Sequence, residues 1–348
     1  MTDYEPNEAR YERSEGWFRT CRGTGLRISP FALGMWHNFG APGTGSLGLD
    51  NEHDFHENCR RMLFTAFDNG IIHFDLANVY GPPPGAAEDR VGRILREDFG
   101  SHREEVIIAT KGGNSVHSGP NQKARNRKNL LPGLDESLSR LGTDYVDIFY
   151  VHGPDPETPL EETLAALDQI VRSGKALYSG ICSYKPDLMS EAMRVCERNG
   201  FVKPRFHQHA YHMMNRRAEE LLPVCAREGV AVITFGSLAA GRLTDKYLDG
   251  VPADSRAGSS SRFLTPEEFT PEFRDGLRGL HEIARERGQT LTQMAISWCL
   301  RDDHLSTAIL GASRPEQIAE NLKAFDNRGF SNEELRRIDG VLAHLPGW

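Results

Sequence analysis

The fold class is decided by one short stretch, Val106-Ile107-Ile108-Ala109-Thr110. A continuous apolar run of this kind is typical of a strand that is covered on both faces, as in a parallel sheet. The next apolar run along the chain, Val146–Val151, has the same character. Both runs therefore predict strands of a buried parallel sheet.

On both sides of this stretch, eight predicted strands alternate with helical segments along the 348 residues. The predicted strands are Phe31–Met35, Ile71–Asp75, Val106–Thr110, Val146–Val151, Leu177–Ile181, Arg205–His209, Val230–Phe235 and Thr307–Leu310. Eight alternations predict an α/β protein with a closed (β/α)8 TIM barrel. An open, doubly wound sheet is the alternative, because strand count does not exclude it. We expect one domain over 1–348, with the barrel at about 28–325.

Helix and turn signals fill the gaps between the predicted strands. Apolar residues from Phe55 to Phe67 recur on one helix face. Thr158 with Glu161 and Ser331 with Glu334 predict capping boxes that begin two further helices. The segment Trp17–Arg27 precedes the first strand and predicts a hairpin plug.

Composition and charge limit the class of protein. The chain is 39% hydrophobic and 26% charged, with a formal net charge of −8. An acidic chain has no general attraction for nucleic acid or anionic lipid, so we expect neither a nucleic-acid nor a membrane partner. Six scattered cysteines without a Cys-x-x-Cys motif are typical of reduced thiols in a cytoplasmic protein.

Polar side chains follow three successive strands at the face where barrel enzymes carry their active sites. Asp75 ends the second predicted strand, and Tyr80 follows it; Lys111 follows the third strand and His152 the fourth. We expect Lys111 to lower the pKa of Tyr80, and Asp75 to neutralise and orient Lys111. With His152 able to bind a substrate oxygen, the group predicts general-acid chemistry at a carbonyl.

Three segments resemble signatures of the aldo-keto reductases: Phe74–Gly81, Ile107–Lys111 and Asp147–His152. The resemblance covers nearly the whole chain. It is greatest to the branch of bacterial L-glyceraldehyde 3-phosphate reductases and potassium-channel β subunits. It implies an NADPH-dependent reductase of small aldehydes or ketones, such as glyceraldehyde 3-phosphate or methylglyoxal, in which Tyr80 is the general acid. Asp75, Lys111 and His152 complete the catalytic tetrad that the resemblance implies.

The segment Gly311–Gln317, which follows the eighth predicted strand and begins a helix, suggests where a cofactor phosphate binds. Ser313 and Glu316 flank Pro315 as a capping box would, and Arg314 is a cationic fork beside them. A helix N-terminus also attracts anions, so capping and phosphate binding are compatible. The resemblance implies that Ser313 and Arg314 bind the 2′-phosphate of NADPH. No Gly-x-Gly-x-x-Gly fingerprint follows an early strand, so a Rossmann site is not supported.

The resemblance also implies the rest of the cofactor site. Ser183 and Gln208 would hold the nicotinamide carboxamide, and Phe235 would stack on its ring. Trp36 would wall the substrate pocket, beside the nicotinamide. The remaining cofactor residues that it implies are Asp75, Gly236, Ser237, Leu238, Gly241, Lys246, Arg256, Gly311, Gln317, Glu320 and Asn321.

Substrate identity is the least determined feature. Gly153 stands where the family is expected to carry a larger, often basic residue, and Asp245 replaces an expected glycine. The long connection Asn114–Asn129 carries several cations, and we expect Arg127 and Lys128 to receive an anionic substrate. A solvated loop surface is the alternative for this cationic cluster.

Two other functions stay open at this point. One is a regulatory module, similar to the channel β subunits, that binds NADPH with little turnover. The other is a metal-dependent lyase or isomerase, for which His207, His209 and His212 are the nearest candidate cluster. No matching carboxylate or cysteine set accompanies these histidines, so we predict no metal site. The resemblance further implies a homo-oligomer, either a tetramer or an octamer.

Overall fold

A computed structural model describes residues 4–44, 47–253, 255–258 and 264–345. Its barrel strands are β3 (Phe31–Gly34), β4 (His73–Asp75), β5 (Ile107–Gly112), β6 (Val146–Val151), β7 (Ala176–Cys182), β8 (Phe206–Ala210), β9 (Ala231–Phe235) and β10 (Leu305–Gly311). All pair in parallel in chain order, and β10 pairs with β3 to close the barrel. The predicted (β/α)8 barrel is confirmed, and the closure excludes the open sheet.

The described residues form ten α-helices, which surround the barrel or follow it. They are α1 (Glu52–Asp68), α2 (Ala86–Asp98), α3 (Arg127–Leu141), α4 (Leu160–Arg172), α5 (Pro186–Asn199), α6 (Leu222–Glu228), α7 (Pro271–Glu286), α8 (Leu291–Cys299), α9 (Pro315–Leu322) and α10 (Asn332–Leu342). The apolar face predicted from Phe55 to Phe67 is the buried face of α1. Every predicted strand ends within two residues of the observed one, since apolar runs mark the buried part of each strand.

Two buried layers hold the barrel together. A large layer lies between the strands and the helices, and a smaller one fills the barrel interior with residues such as Ile107, Ile148 and Phe206. The predicted hairpin is present as β1 (Arg19–Thr20) and β2 (Arg27–Ile28). Gly23 at its turn has a φ of +70°, and a Cβ there would stand 2.0 Å from the carbonyl oxygen of Gly229. Since Gly229 precedes β9, the hairpin closes the amino end of the barrel and leaves the carboxyl end as the mouth.

Of the two capping boxes predicted from Thr158 and Ser331, the structure contains one. The Ser331 capping box is confirmed. The Thr158 box is wrong: α4 begins after Pro159 with no side-chain cap, because the Thr158 hydroxyl donates instead to Asp155 Oδ2 at 2.6 Å. The connection predicted as Asn114–Asn129 also ends earlier, since Asn126 caps α3 and the residues after it are helical.

Candidate active site

Four side chains from three strand ends meet at the barrel mouth. Asp75 is the last residue of β4, Lys111 is the last residue but one of β5, and His152 follows β6 directly. Tyr80 comes from the connection after β4. Parallel pairing of β4 with β5 and of β5 with β6 brings these ends together. The structure thus assembles the four residues that the sequence predicted to act as one group.

Lys111 is the hub of this group. Its Nζ donates to Asp75 Oδ2 at 2.6 Å, to the Leu76 carbonyl oxygen at 2.6 Å and to Tyr80 Oη at 3.3 Å. The Lys111 side chain has no solvent exposure, and Asp75 has 2%. An ammonium group has three N–H donors, so all three are satisfied inside the protein. Lys111 is therefore fixed, and it fixes the position of the Tyr80 hydroxyl.

The other oxygen of Asp75 is also engaged. Gln208 Nε2 donates to Asp75 Oδ1 at 2.8 Å across the barrel mouth. The carboxylate therefore has a charged partner on one side and a neutral donor on the other, which is what a buried charge requires. The family resemblance implied Gln208 as a carboxamide ligand, whereas the observed contact of its amide nitrogen is with Asp75.

Burial changes the expected acidity of Tyr80. Burial raises the pKa of the phenol above its ordinary value, and the Lys111 ammonium opposes this only in part. Lys111 thus lowers the pKa of Tyr80 as predicted, but the net pKa is raised, because the cost of burying the phenolate exceeds its attraction to one ammonium. Burial by itself would lower the pKa of Lys111, but the Asp75 carboxylate and Tyr80 raise it above its ordinary value. Both groups thus keep their protons at neutral pH.

His152 is held neutral beside Tyr80. The two rings lie edge to face with their centroids 5.9 Å apart. Burial, together with the nearby Lys111 and Arg125 cations, lowers the pKa of His152 to about 3. Its buried Nδ1 has no hydrogen-bond partner among the described residues. A neutral imidazole in this position can donate or accept a hydrogen bond at a ligand oxygen.

The opposite side of the mouth is formed by the ends of β7 to β10. Phe235 ends β9 and is 38% exposed, although most large apolar side chains are buried. Ser183 follows β7 with an exposed side chain and a φ of +58°, and its backbone N–H donates to the Gln208 carbonyl oxygen at 2.9 Å. A Cβ at Gly236 or Gly311 would meet no atom within 4 Å. This rim is therefore open and carries an exposed aromatic face.

The beginning of α9 differs from the prediction in detail. Arg314 is the N-cap residue, and no side chain caps the helix. The Ser313–Glu316 capping box is wrong, because Gln317 Oε1 accepts from both the backbone N–H and the hydroxyl of Ser313, at 2.9 and 3.1 Å. The Arg314 side chain is exposed, with no hydrogen bond or ion pair to a described residue. Within the described residues, the Arg314 guanidinium thus has no partner, and it stands at a helix N-terminus on the rim.

The other predicted cofactor residues lie around the same rim. Arg256 Nη1 donates to the Ala240 carbonyl oxygen at 3.0 Å, and its Nη2 lies 3.2 Å from His37 Nε2. Lys246 is exposed, and Trp36 follows β3 with its ring edge-on to His37. Gly236, Ser237, Leu238 and Gly241 follow β9, and Glu320 and Asn321 lie on α9.

Residues 33–343 match the profile of the Aldo/keto reductase family. The chain belongs to the aldo/keto reductase family. Its sequence is 45% identical over 342 residues to L-glyceraldehyde 3-phosphate reductase of Escherichia coli K12, covering 97% of this chain and 95% of that protein. It is also similar to a probable voltage-gated potassium channel subunit beta of rice, Oryza sativa subsp. japonica, with 37% identity over 331 residues (93% and 95% covered). A putative channel subunit beta of Schizosaccharomyces pombe is 35% identical over 339 residues (94% of each). The family resemblance and the branch predicted from the sequence are confirmed, and the protein is an oxidoreductase.

Two features of this reductase bear on membrane and metal functions. Within the described ranges, no helix is long and apolar enough to cross a membrane. The same residues contain no group of three or more His, Cys, Asp or Glu side chains arranged to hold a metal ion. His207 and His209 do lie on one side of β8, with ring centroids 5.8 Å apart.

Asp245 was noted in the sequence only as a departure from the family. In this reductase, Asp245 Oδ1 accepts from the backbone N–H of Leu291 at 3.1 Å and lies 2.8 Å from His281 Nδ1. The carboxylate is therefore bound at the N-terminus of α8, where the helix dipole favours a negative charge. Asp245 ties the connection after β9 to the helical layer and takes no part in the mouth.

Arg127 and Lys128, the two cations predicted to receive the substrate, lie away from the mouth. The guanidinium of Arg127 contacts Gln169 Oε1, more than two helical turns along α4 on the outside of the barrel. Lys128 is exposed on α3. The structure does not bring either residue to Tyr80. Arg125 is the cation that lies at the mouth, and its Nε donates to the Gly153 carbonyl oxygen at 3.3 Å. No local spacing signal identifies Arg125, although glycines at 113 and 153 provide the space.

Proposed function

We propose that this protein reduces small aldehydes to alcohols with NADPH, and that Tyr80 donates the proton. The observation that carries the proposal is the hydrogen-bonded chain from Asp75 through Lys111 to Tyr80 at the open mouth of the barrel. It presents one protonated hydroxyl, held by a buried ammonium, to whatever occupies the mouth. That arrangement suits general acid catalysis.

The rim residues fit a reduced nicotinamide dinucleotide. The family generally uses NADH or NADPH. Phe235 offers an exposed aromatic face for a planar ring, and the glycines at 236 and 311 leave open space for a backbone-bound ligand. Arg314 offers a cationic fork at a helix N-terminus that no described side chain pairs with, which suits a dianionic phosphate and favours NADPH over NADH. When bound, the cofactor would supply the hydride.

The hydride that the bound cofactor would supply and one proton from Tyr80 Oη, donated to the carbonyl oxygen, would together convert an aldehyde into a primary alcohol. Lys111 orients Tyr80 and stabilises the phenolate that forms, and Asp75 keeps Lys111 charged. Neutral His152, beside Tyr80, is placed to hydrogen-bond the same carbonyl oxygen and so fix its approach.

The substrate class rests on the relatives. A protein 45% identical to this chain is named for the reduction of L-glyceraldehyde 3-phosphate. We therefore propose glyceraldehyde 3-phosphate and aldehydes of similar size, including methylglyoxal, as substrates. The second candidate, an NADPH-binding regulatory module, is favoured only by the names of relatives at 35 to 37% identity. The complete tetrad, with a protonated Tyr80 at the open mouth of the barrel, argues for turnover instead.

The test is a turnover measurement on the purified protein. NADPH and each aldehyde are mixed with a trace of protein, and both cofactor oxidation and alcohol formation are followed. We expect many turnovers, with one alcohol formed for each NADPH consumed and no sensitivity to a chelator. Saturable NADPH binding without sustained consumption would favour the regulatory module instead. Activity abolished by chelation would favour metal-dependent chemistry.

A further inference from the structure

We propose that Arg125 recognises the anionic group of the substrate and so makes this protein selective for aldehydes that carry a phosphate or a carboxylate. The inference rests on the proposed reductase function and names its substrate class. It assigns a role to a residue that lies outside the tetrad and outside the cofactor rim.

The position of Arg125 is the first argument. Its Nε donates to the Gly153 carbonyl oxygen at 3.3 Å, and Gly153 directly follows His152. The guanidinium is close enough to help lower the pKa of His152. A group bound to Arg125 would therefore lie next to the side chain that we expect to hold the carbonyl oxygen, at a separation suited to a short three-carbon substrate.

Two glycines, Gly113 and Gly153, leave space for the Arg125 side chain. Gly113 has a φ of +96°, and a Cβ there would stand only 3.2 Å from Arg125 Cδ. Gly153 has a φ of +125°, and its Cβ would stand 3.8 Å from Arg125 Nη2. Two glycines at the ends of β5 and β6 thus let Arg125 fold inward over the mouth. Arg125 thus brings a cation directly beside Gly153 and His152.

The Arg125 guanidinium is also held in place without an ion pair to any described carboxylate, although Asp155 lies near enough to favour its charge. Besides the bond to Gly153, Nη2 donates to Asn114 Oδ1 at 3.0 Å, and Nη1 donates to the Lys123 carbonyl oxygen. A guanidinium has five N–H donors, so two are left for a ligand. The Arg125 side chain forms no ion pair with a described carboxylate; its only bond to Asp155 is from the Arg125 backbone N–H to Asp155 Oδ2, at 2.9 Å. A half-buried cation held by neutral acceptors is arranged to attract an anion.

The fourth argument separates this anion from the cofactor. In the closed barrel, β5 and β6 lie three or four strands away from β9 and β10. Arg314 and the glycines of the cofactor rim follow β9 and β10, whereas Arg125 lies over the ends of β5 and β6. The cofactor phosphates are therefore assigned to one side of the mouth and the substrate anion to the other, with Tyr80 and His152 on the substrate side.

The test compares two aldehydes that differ by a phosphate. The kcat/KM values for glyceraldehyde 3-phosphate and glyceraldehyde are measured with NADPH for wild type, Arg125→Gln, Arg125→Lys and Lys123→Gln. Lys123→Gln is the matched control, because it removes an exposed charge from the same connection. In wild type we expect the phosphate ester to be preferred. In Arg125→Gln the preference should fall by about 10- to 100-fold, the size expected for a lost charge-assisted bond, chiefly through KM. Arg125→Lys should keep part of the preference.

A second measurement does not depend on turnover of the phosphate ester. Inorganic phosphate should inhibit wild-type reduction of glyceraldehyde competitively with the aldehyde, and Arg125→Gln should lose this competition. Equal losses for both aldehydes in Arg125→Gln would overturn the inference and leave Arg125 as a support for the connection. A similar loss of preference in Lys123→Gln would also overturn it. If wild type reduces both aldehydes equally well, the inference fails while the proposed function stands. If wild type reduces neither, the proposed function fails and the inference with it.

Discussion

Replacing Lys111 with methionine tests whether Asp75, Lys111 and Tyr80 work as one unit. The change keeps the length of the side chain but removes an ammonium that makes three buried hydrogen bonds, two of them at 2.6 Å. Tyr80 loses the cation that orients it and stabilises its phenolate. We expect kcat/KM to fall by about 10² to 10⁴, the range of general acid catalysis. Since Tyr80→Phe removes the same step, the double variant should be no more than about threefold worse than the poorer single variant.

The same substitution must also destabilise the fold. It leaves the Asp75 carboxylate buried with only Gln208 as partner, and breaking a buried ion pair costs about 3 to 5 kcal/mol. Adding Asp75→Asn removes the unpaired charge, so urea denaturation should show part of the stability restored while activity stays low. Losses that multiply fully between Lys111→Met and Tyr80→Phe would refute the idea of a shared unit. Recovery of activity along with stability would mean that Lys111 is only structural.

Three further predictions concern the rim, the helical layer and pH. Arg314→Ala should weaken NADPH binding by about 1.5 to 3 kcal/mol, the worth of a hydrogen bond to a charged group, and leave NADH binding nearly unchanged; calorimetry showing equal losses would exclude a 2′-phosphate contact. Asp245→Ala should lower the free energy of unfolding by about 1 kcal/mol in urea, because it removes an acceptor at the start of α8, and an unchanged value would contradict that role. The pKa of His152 is lowered to about 3 in the folded protein. Between about pH 6.5 and 3, His152 is therefore protonated in the unfolded chain and neutral in the folded protein. His152 therefore contributes stability above pH 6.5 that is lost on acidification, and His152→Asn should flatten the loss over that window; parallel stability curves would contradict the lowered pKa.

The barrel and its tetrad could be predicted because both depend on short-range patterns. A buried parallel strand reads as a continuous apolar run, and the fold then carries each strand end to the same mouth. Asp75, Lys111 and His152 stand at or directly after such runs, so their meeting follows from the strand assignment. The hairpin before β3 was likewise visible in its turn residues.

Other features depend on tertiary structure and were missed. Arg125 and Arg127 stand two residues apart, and nothing local indicates that one folds inward over Gly113 while the other reaches Gln169 on α4. The pKa of Tyr80 was misjudged because the Lys111 partner is visible in the sequence whereas the depth of burial is not. The capping box at α9 was mispredicted for a similar reason. Glu316 and Gln317 both offer an acceptor within reach of Ser313, and their spacing in the sequence does not show that Gln317 is the one bound.

The central claim is that Tyr80 is the proton donor in NADPH-dependent aldehyde reduction, and Tyr80→Phe tests it most directly. The substitution removes the hydroxyl that lies 3.3 Å from Lys111 Nζ and keeps the ring that packs against His152. The measurement is kcat/KM for glyceraldehyde 3-phosphate in wild type and variant, alongside the Kd for NADPH from fluorescence titration. We expect kcat/KM to fall by about 10² to 10⁴ while the Kd changes by less than about twofold. Near-wild-type turnover in a variant that still binds NADPH would contradict it.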